Sequence, residues 1–562
     1  MLLGLALASS CGDGDSRADA GEPDGEVGIA TVGPVSTGDT GASDEADELE
    51  TLYLRIEPRE LVLEVELGVE ASIPYHAIAV RSDGTEQDVS DEVSWSLEGS
   101  VIASFVGSTL QIPASDEGTV ASAVITAELP MTSGQTQVTL AQYELEEDFF
   151  FVLPFGDDGG EQARPLRFDT EVKSMDVLIN MDTTASMDAA LANLQAALST
   201  TIIPRIRELV PDTHFGAGAF QDFPLAPHGI PGDQPFFLYQ PVTSEVDAVQ
   251  AALESFSMGD GGDAPESLLE ALYQIATGEG LDGPGGTLVL PYHEGVGGAG
   301  FREGALPVVV SITNAISHDP DGTSCGRPYQ GEVADVAHGG QQTFAALEAI
   351  CARTIHVGLS GGVCAPSLDG EALAQATGTL IPPAAWDVVG RPPQCGPGQC
   401  CTGPEGAGVE PGPGGSCPMS FRASLDGTGV DESFASAVEL VAAYERFSVT
   451  REVVGETADL QGQPLPGGTT TADFIRAVRP LEHGPSPLPG VPDPTLGPES
   501  FDGVIPATEV TFEVRAYNDF VEAEQEPRVF RARIEVFADG CSALDQRDVL
   551  VLVPPAPLPP PG

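Results

Sequence analysis

The chain begins with MLLGLALASS (1–10), a short apolar run, and then loses hydrophobic rhythm across 12–50, where Gly, Asp, Glu, Ala, Ser and Thr dominate and no aromatic occurs. That pattern predicts a disordered acidic tether. From 51 to 145, apolar and polar residues alternate in short runs: LYLRIEP, LVLEVEL, EASIPYHAIAV, VSWSL, VIASFV and ASAVITAEL. Turn signals such as SDGTEQD (82–88) separate them. Alternation at strand length with regular breaks predicts a β-sandwich, with Trp95 as its core anchor. Over 146–172 lies a bridge in which DFFFVLP (148–154) reads as a strand pairing near RPLRFDTEV. Beyond it the period changes. Helical stripes in SEVDAVQAALESF (244–256), ESLLEALYQIA (266–276), QTFAALEAICA (342–352) and ESFASAVELVAAYERF (432–447) alternate with apolar runs such as PVVVSIT and RTIHVGL. Strands alternating with helices predict a doubly wound parallel α/β sheet. The alternating pattern returns over 448–556 in FSVTREVV, ADFIRAV, EVTFEVRAY, RVFRARIEVF and RDVLVLVP, which predicts a second sandwich.

The α/β region is organised around 175–187, MDVLINMDTTASM. An apolar strand ends there in Asp182, Thr184 and Ser186 and passes into a helix with Leu191, Leu194, Leu198, Ile202 and Ile206 on one stripe. Ligands of parallel sheets bind beyond the carboxyl ends of the strands. If the chain stays extended past the strand end, alternate side chains share a face. One carboxylate and two hydroxyls then form half a shell for a hard divalent cation, Mg²⁺, Mn²⁺ or Ca²⁺. The competing reading of the same residues is an ordinary helix N-cap made by Ser186 or Asp182.

The D-x-T-x-S-M pattern after a hydrophobic strand resembles the metal-ion-dependent adhesion site of von Willebrand factor A (VWA) domains. HFGAGAFQDFP (214–224) and GGDAPESLLEALYQI (261–275) are similar to the second strand and the D-x-P-E loop and helix of integrin-β-type VWA domains. The resemblance covers about 172–445. It implies that Asp182, Thr184, Ser186 and Glu266 hold the metal. It also implies that Asp222, Asp263 and the Pro265 carbonyl match a neighbouring calcium site. Two positions depart from the family. Asn314, in PVVVSITNAISHD (307–319), stands where Asp is usual; it can still accept a bond from a metal-bound water, but one negative charge is gone. Ala189 and Ala190 stand where integrin β domains carry acidic residues of a further site. Residues 51–145 resemble bacterial Ig-like domains of the second group through IEP, DGT, DVS and VSWS.

The expected fold class is therefore multidomain: an Ig-like β-sandwich, a VWA-like, Rossmann-like doubly wound sheet, and a C-terminal β-sandwich. The boundaries are 1–11 signal and lipobox, 12–50 linker, 51–145 sandwich, 146–447 VWA-like domain with a Cys-rich insertion at about 360–420, and 448–556 sandwich. Gly/Pro-rich insertions at 223–236 and 278–305 are expected on the ligand-facing rim.

Charge narrows the function. With 23 basic against 86 acidic residues, the formal net charge of the 562 residues is −63. Phosphate contacts need a basic surface, so nucleic-acid binding is not expected. Ala8-Ser9-Ser10-Cys11 resembles a bacterial lipobox with Cys11 lipidated. Ala8 stands where Leu is usual, and no basic segment precedes the apolar run. The expectation is an exported lipoprotein of the outer membrane, cell surface or periplasm, with the lipid as its only membrane contact. The remaining eight cysteines, Cys325, Cys351, Cys364, Cys395, Cys400, Cys401, Cys417 and Cys541, read as up to four disulfides of open connectivity. Zinc is disfavoured because no Cys-x₂-Cys repeat occurs.

No nucleophile elbow, P-loop, H-E-x-x-H or dinucleotide fingerprint is present, and the expectation is a non-enzyme. His318 reads as a rim residue or a solvated loop histidine. The functional expectation is recognition of a protein partner, through its Asp or Glu side chain, at the divalent cation. A stalk whose metal only fixes the fold is the alternative.

Overall fold

The computed structural model describes residues 51–143, 148–156, 160–283, 285–322, 324–359 and 364–559. The expected signal, lipobox Cys11 and acidic linker lie outside them.

Residues 51–143 form three small sheets around one core built on Tyr75, Leu110, Ile125 and Val138. The fully buried aromatic is Tyr75. The expected anchor Trp95 is only half-buried, stacked on Phe105 with ring centroids 5.1 Å apart. Its indole N–H must reach an acceptor, and it donates to the Ser90 carbonyl (3.1 Å), which keeps one edge near the surface.

The central domain carries a six-stranded sheet. In chain order its strands are β1 (Ser174–Asp182), β2 (Asp212–Phe220), β3 (Phe237–Thr243), β4 (Leu306–Thr313), β5 (Arg353–Gly358) and β6 (Ser420–Arg422). Their spatial order is β3-β2-β1-β4-β5-β6, parallel except for the antiparallel edge strand β3. Parallel strands buried on both faces read as near-continuous apolar runs, as β1 does. Its Val177, Ile179 and Met181 face α1 (Asp188–Ala197), α2 (Ile203–Leu209), α3 (Val246–Glu254) and α7 (Val430–Tyr444). Leu178 faces the opposite core with α4 (Leu268–Thr277), α5 (Gly340–Ala349) and Leu373 of α6 (Ser367–Ala376). The stripe Leu191, Leu194, Leu198, Ile202 and Ile206 is buried as its spacing demands, carried across a π turn (Leu198–Ile202).

Two sequence expectations are corrected. Asp148–Val152 does not pair near 164–172; it runs parallel to Ser542–Val553 in one sheet of the C-terminal sandwich, while Gln162–Phe168 pairs with Val510–Ala516 in the facing sheet. The stretch 148–168 thus belongs to the sandwich, and the α/β domain is inserted into it. Phe151 and Phe168 are fully buried in that second core, a tertiary contact that no local pattern announces. The insertion 278–305 is also not on the ligand rim. The Arg302 guanidinium donates to Asp176 (2.8 Å) and Asp212 (2.7 Å) at the amino ends of β1 and β2. The Gly304 carbonyl accepts from Ala543 N–H of the sandwich. A helix between parallel strands returns the chain to the amino edge, and the segment after α4 lies there accordingly.

All eight cysteines of the described residues pair: Cys325–Cys364, Cys351–Cys541, Cys395–Cys401 and Cys400–Cys417. No thiolate remains among them for zinc. Cys351–Cys541 clips the end of α5 to the sandwich, beside buried Arg353, which pairs with Glu445 and Asp539. Four disulfides belong to an oxidising compartment. No helix of the described residues is long and apolar enough to cross a membrane.

Candidate metal centre

The strand order reverses between neighbouring β1 and β4, which opens a crevice at their carboxyl ends. Asp182 ends β1 and Thr313 ends β4, and they meet there: the Thr313 hydroxyl donates to Asp182 Oδ2 (2.6 Å). The Thr184 amide (2.9 Å) and hydroxyl (2.8 Å) both donate to Asp182 Oδ1. Asp182 is fully buried, and burial raises its pKa despite these three bonds.

Thr184 is still extended, but Ala185–Met187 form a 3₁₀ turn. Ser186 therefore reaches the rim by that turn and not by strand alternation. Its exposed hydroxyl donates to Asn314 Oδ1 (3.3 Å). Neither the turn nor α1 has a side-chain cap, which removes the N-cap reading of these oxygens.

Glu266 enters from the loop before α4. Its N–H donates to the Ile316 carbonyl (3.0 Å) and its own carbonyl accepts from His318 N–H (2.7 Å), so this loop is tied to the one after β4. The side chain is 5 % exposed, and Oε2 is buried without a hydrogen-bond partner. Burial pushes its pKa up to about 11, and the charges of Asp182, Asp222 and Asp263 add to that. Gly261 flanks it at φ +67°; a Cβ there would stand 3.1 Å from Glu266 Oε1 and 3.5 Å from Thr184. The left-handed backbone and the close carboxylate both call for glycine. Buried carboxylates left without counter-charge are what a cation site looks like before its ion arrives. The donors Asp182, Thr184, Ser186, Asn314 and Glu266 are all oxygens, which suits Mg²⁺, Mn²⁺ or Ca²⁺.

Asp222 and Asp263 gather in a second cluster, whose charges reach Asp182 and Glu266 of the first. Asp222 Oδ2 lies 3.2 Å, and Asp263 Oδ1 3.1 Å, from His318 Nε2. His228 Nδ1 stands 3.4 Å from Asp263 Oδ2. Burial raises the Asp222 pKa, with His318 opposing it. Tyr329 closes the floor: its hydroxyl donates to Asp222 Oδ1 (3.3 Å) and its ring stacks on His318 at 4.1 Å.

His318 is not solvated, being 1 % exposed. It is fastened at Nδ1, which donates to the Arg327 carbonyl (2.7 Å), while the Arg327 side chain donates to buried Asp369. The Cys325–Cys364 bridge closes the same loop. Three residues of the two clusters, Thr313, His228 and Tyr329, carry no signal of their own in the sequence. Only proximity to Asn314 flags the first, and the other two sit in loops without periodicity.

No family model and no curated protein matches the chain. Among solved structures it is similar to a von Willebrand factor type A protein from Catenulispora acidiphila, at 11 % identity and TM-score 0.27, covering 72 % of this chain and 71 % of that one. It is also similar to the pilus adhesin SpaC from Lactobacillus rhamnosus GG in its open conformation, at 9 % identity and TM-score 0.27. That match covers 82 % of this chain, which spans 48 % of the adhesin's length. At that level the likenesses define neither the fold nor the site, which stand on the topology and the residues above.

Proposed function

We propose that this is an exported surface protein that binds a protein partner through a divalent cation. Asp182, Thr184, Ser186 and Glu266 hold the ion, with Asn314 behind Ser186. The open coordination position, on the solvent side where Ser186 is exposed, takes an Asp or Glu carboxylate of the partner. The observation that carries this reading is the buried Glu266 carboxylate, its Oε2 without a hydrogen-bond partner, within reach of the charge of fully buried Asp182. In this reading the ion bridges to a foreign carboxylate, and the activity proposed is binding and not catalysis. Screening over about 8 Å at physiological salt lets an acidic ligand approach despite the chain's charge. A lipid on Cys11 would hold the protein at the envelope, and an acidic surface offers nucleic acid nothing to bind.

The second reading is a stalk whose cation only stabilises the fold. Asn314 favours it, since the missing carboxylate weakens the hold on an ion that must also bear a partner. A display library of peptides containing Asp or Glu, panned on the full chain in Mn²⁺ and in chelator, separates the two. Binders that need Mn²⁺ and are lost in Asp182→Ala/Ser186→Ala support the bridging role. Cation-dependent stability without any such binder supports the stalk.

A further inference from the structure

The second cluster differs from the first in one decisive respect: it offers nitrogen. Ligand atoms of Asp222, His228, Asp263 and His318 all lie within 4.8 Å of one another. The hydrogen bonds sort these four. Gln330 N–H donates to His228 Nε2 (3.0 Å), so that nitrogen carries a lone pair and the proton of the neutral ring sits on Nδ1. His228 Nδ1 therefore carries the proton and cannot be a ligand; it stands 3.4 Å from Asp263 Oδ2, outside hydrogen-bond geometry.

His318 is arranged the other way. Its Nδ1 must donate, because its partner is the Arg327 carbonyl. The neutral ring then has its Nε2 lone pair aimed between two carboxylates. A ligating imidazole has this arrangement, its far N–H held by a backbone carbonyl. A second proton on His318 would serve Asp263 Oδ1, the atom in hydrogen-bond geometry with Nε2. Asp222 Oδ2, fully buried and 3.2 Å from the same nitrogen, would still be outside hydrogen-bond geometry with it. A divalent ion satisfies all three donors at once and neutralises both carboxylates. The Asp263 side chain is 30 % exposed and gives access from solvent.

We infer that Asp222, Asp263 and His318 form a second cation site that takes a borderline transition-metal ion of the zinc class, and not calcium. Calcium takes six to eight oxygen donors, whereas imidazole with carboxylates suits zinc and its neighbours. The inference stands apart from the proposed adhesion role, because no residue of the first site is among these ligands.

The test is titration of the chelator-stripped full chain with Zn²⁺, Co²⁺ and Ca²⁺. Wild type is compared with His318→Gln and His318→Asp, each checked for native near-UV circular dichroism, and with Asp182→Ala/Ser186→Ala. Zinc should bind wild type and the double variant at least tenfold more tightly than calcium does at this site. Cobalt should give the visible absorption of a nitrogen-ligated ion, a readout that needs no variant. His318→Gln should lose at least tenfold in zinc affinity together with the cobalt band. His318→Asp, an all-oxygen set, should shift the preference toward calcium. Three results would each overturn the assignment: calcium as tight as zinc at the wild-type site, zinc affinity unchanged in His318→Gln, or no zinc bound. Loss of zinc in the Asp182/Ser186 variant would overturn it too, because the ion would then sit at the first site.

Discussion

Binding of a cation at the first site must expel a proton, and the structure sets the size of the effect. With a pKa of about 11, the Glu266 carboxyl of the metal-free protein holds its proton at pH 7. Removing that proton over four pH units costs about 5 kcal/mol at pH 7, and the cost falls by about 1.4 kcal/mol for each unit of rising pH. Cation affinity should therefore rise about tenfold per pH unit between pH 6 and 8.

Stability moves with the opposite sign. The folded metal-free chain binds a proton at Glu266 that the unfolded chain, with its ordinary value of 4.5, has lost. Unfolding free energy of chelated protein should thus fall with pH, by up to about 4 kcal/mol from pH 5 to 8. Saturating cation should abolish the fall. Glu266→Gln imitates the protonated acid, and it should flatten both profiles. The assay is calorimetry at pH 6, 7 and 8 in two buffers of different protonation enthalpy, with urea titrations beside it. Affinity constant across that range with no proton released, or parallel stability profiles for wild type and Glu266→Gln, would refute the reasoning.

Further outcomes are expected at other residues. Asn314→Asp returns a carboxylate beside Ser186 and should tighten Mg²⁺ binding on the order of tenfold, read by calorimetry. Cys351→Ser/Cys541→Ser opens a clip spanning 190 residues and should cost about 5 kcal/mol against chemical denaturation, by the loss of loop closure. Arg327→Gln leaves Asp369, 3 % exposed and already raised to about 6, without its buried cation; a loss of about 3 kcal/mol is expected in urea unfolding.

A feature can be read from sequence to the extent that it is local. β1 was legible because an apolar run ending in Asp182, Thr184 and Ser186 is a local signal, and so was the helical stripe behind it. The route by which Ser186 reaches the rim was not, since strand periodicity gives no warning of a 3₁₀ turn. Glu266 stands out in the sequence only through a resemblance; its unpartnered oxygen is a property of burial. The burial of His318 was hidden because its fate is decided by Arg327, Asp369 and a disulfide, contacts that no local pattern encodes. The sandwich strand at Asp148–Val152 pairs with a partner 400 residues away, a distance at which alternation indicates a strand but never its neighbour.

The most direct test of the central claim is calorimetric titration of Mg²⁺, a hard ion that the nitrogen-bearing cluster should not take, into chelated full chain. Wild type is set against Asp182→Ala/Ser186→Ala. The account predicts one saturable site in wild type that the double variant lacks. Equal, weak and non-saturating uptake by both proteins would mean that an acidic surface merely collects cations, and would contradict it.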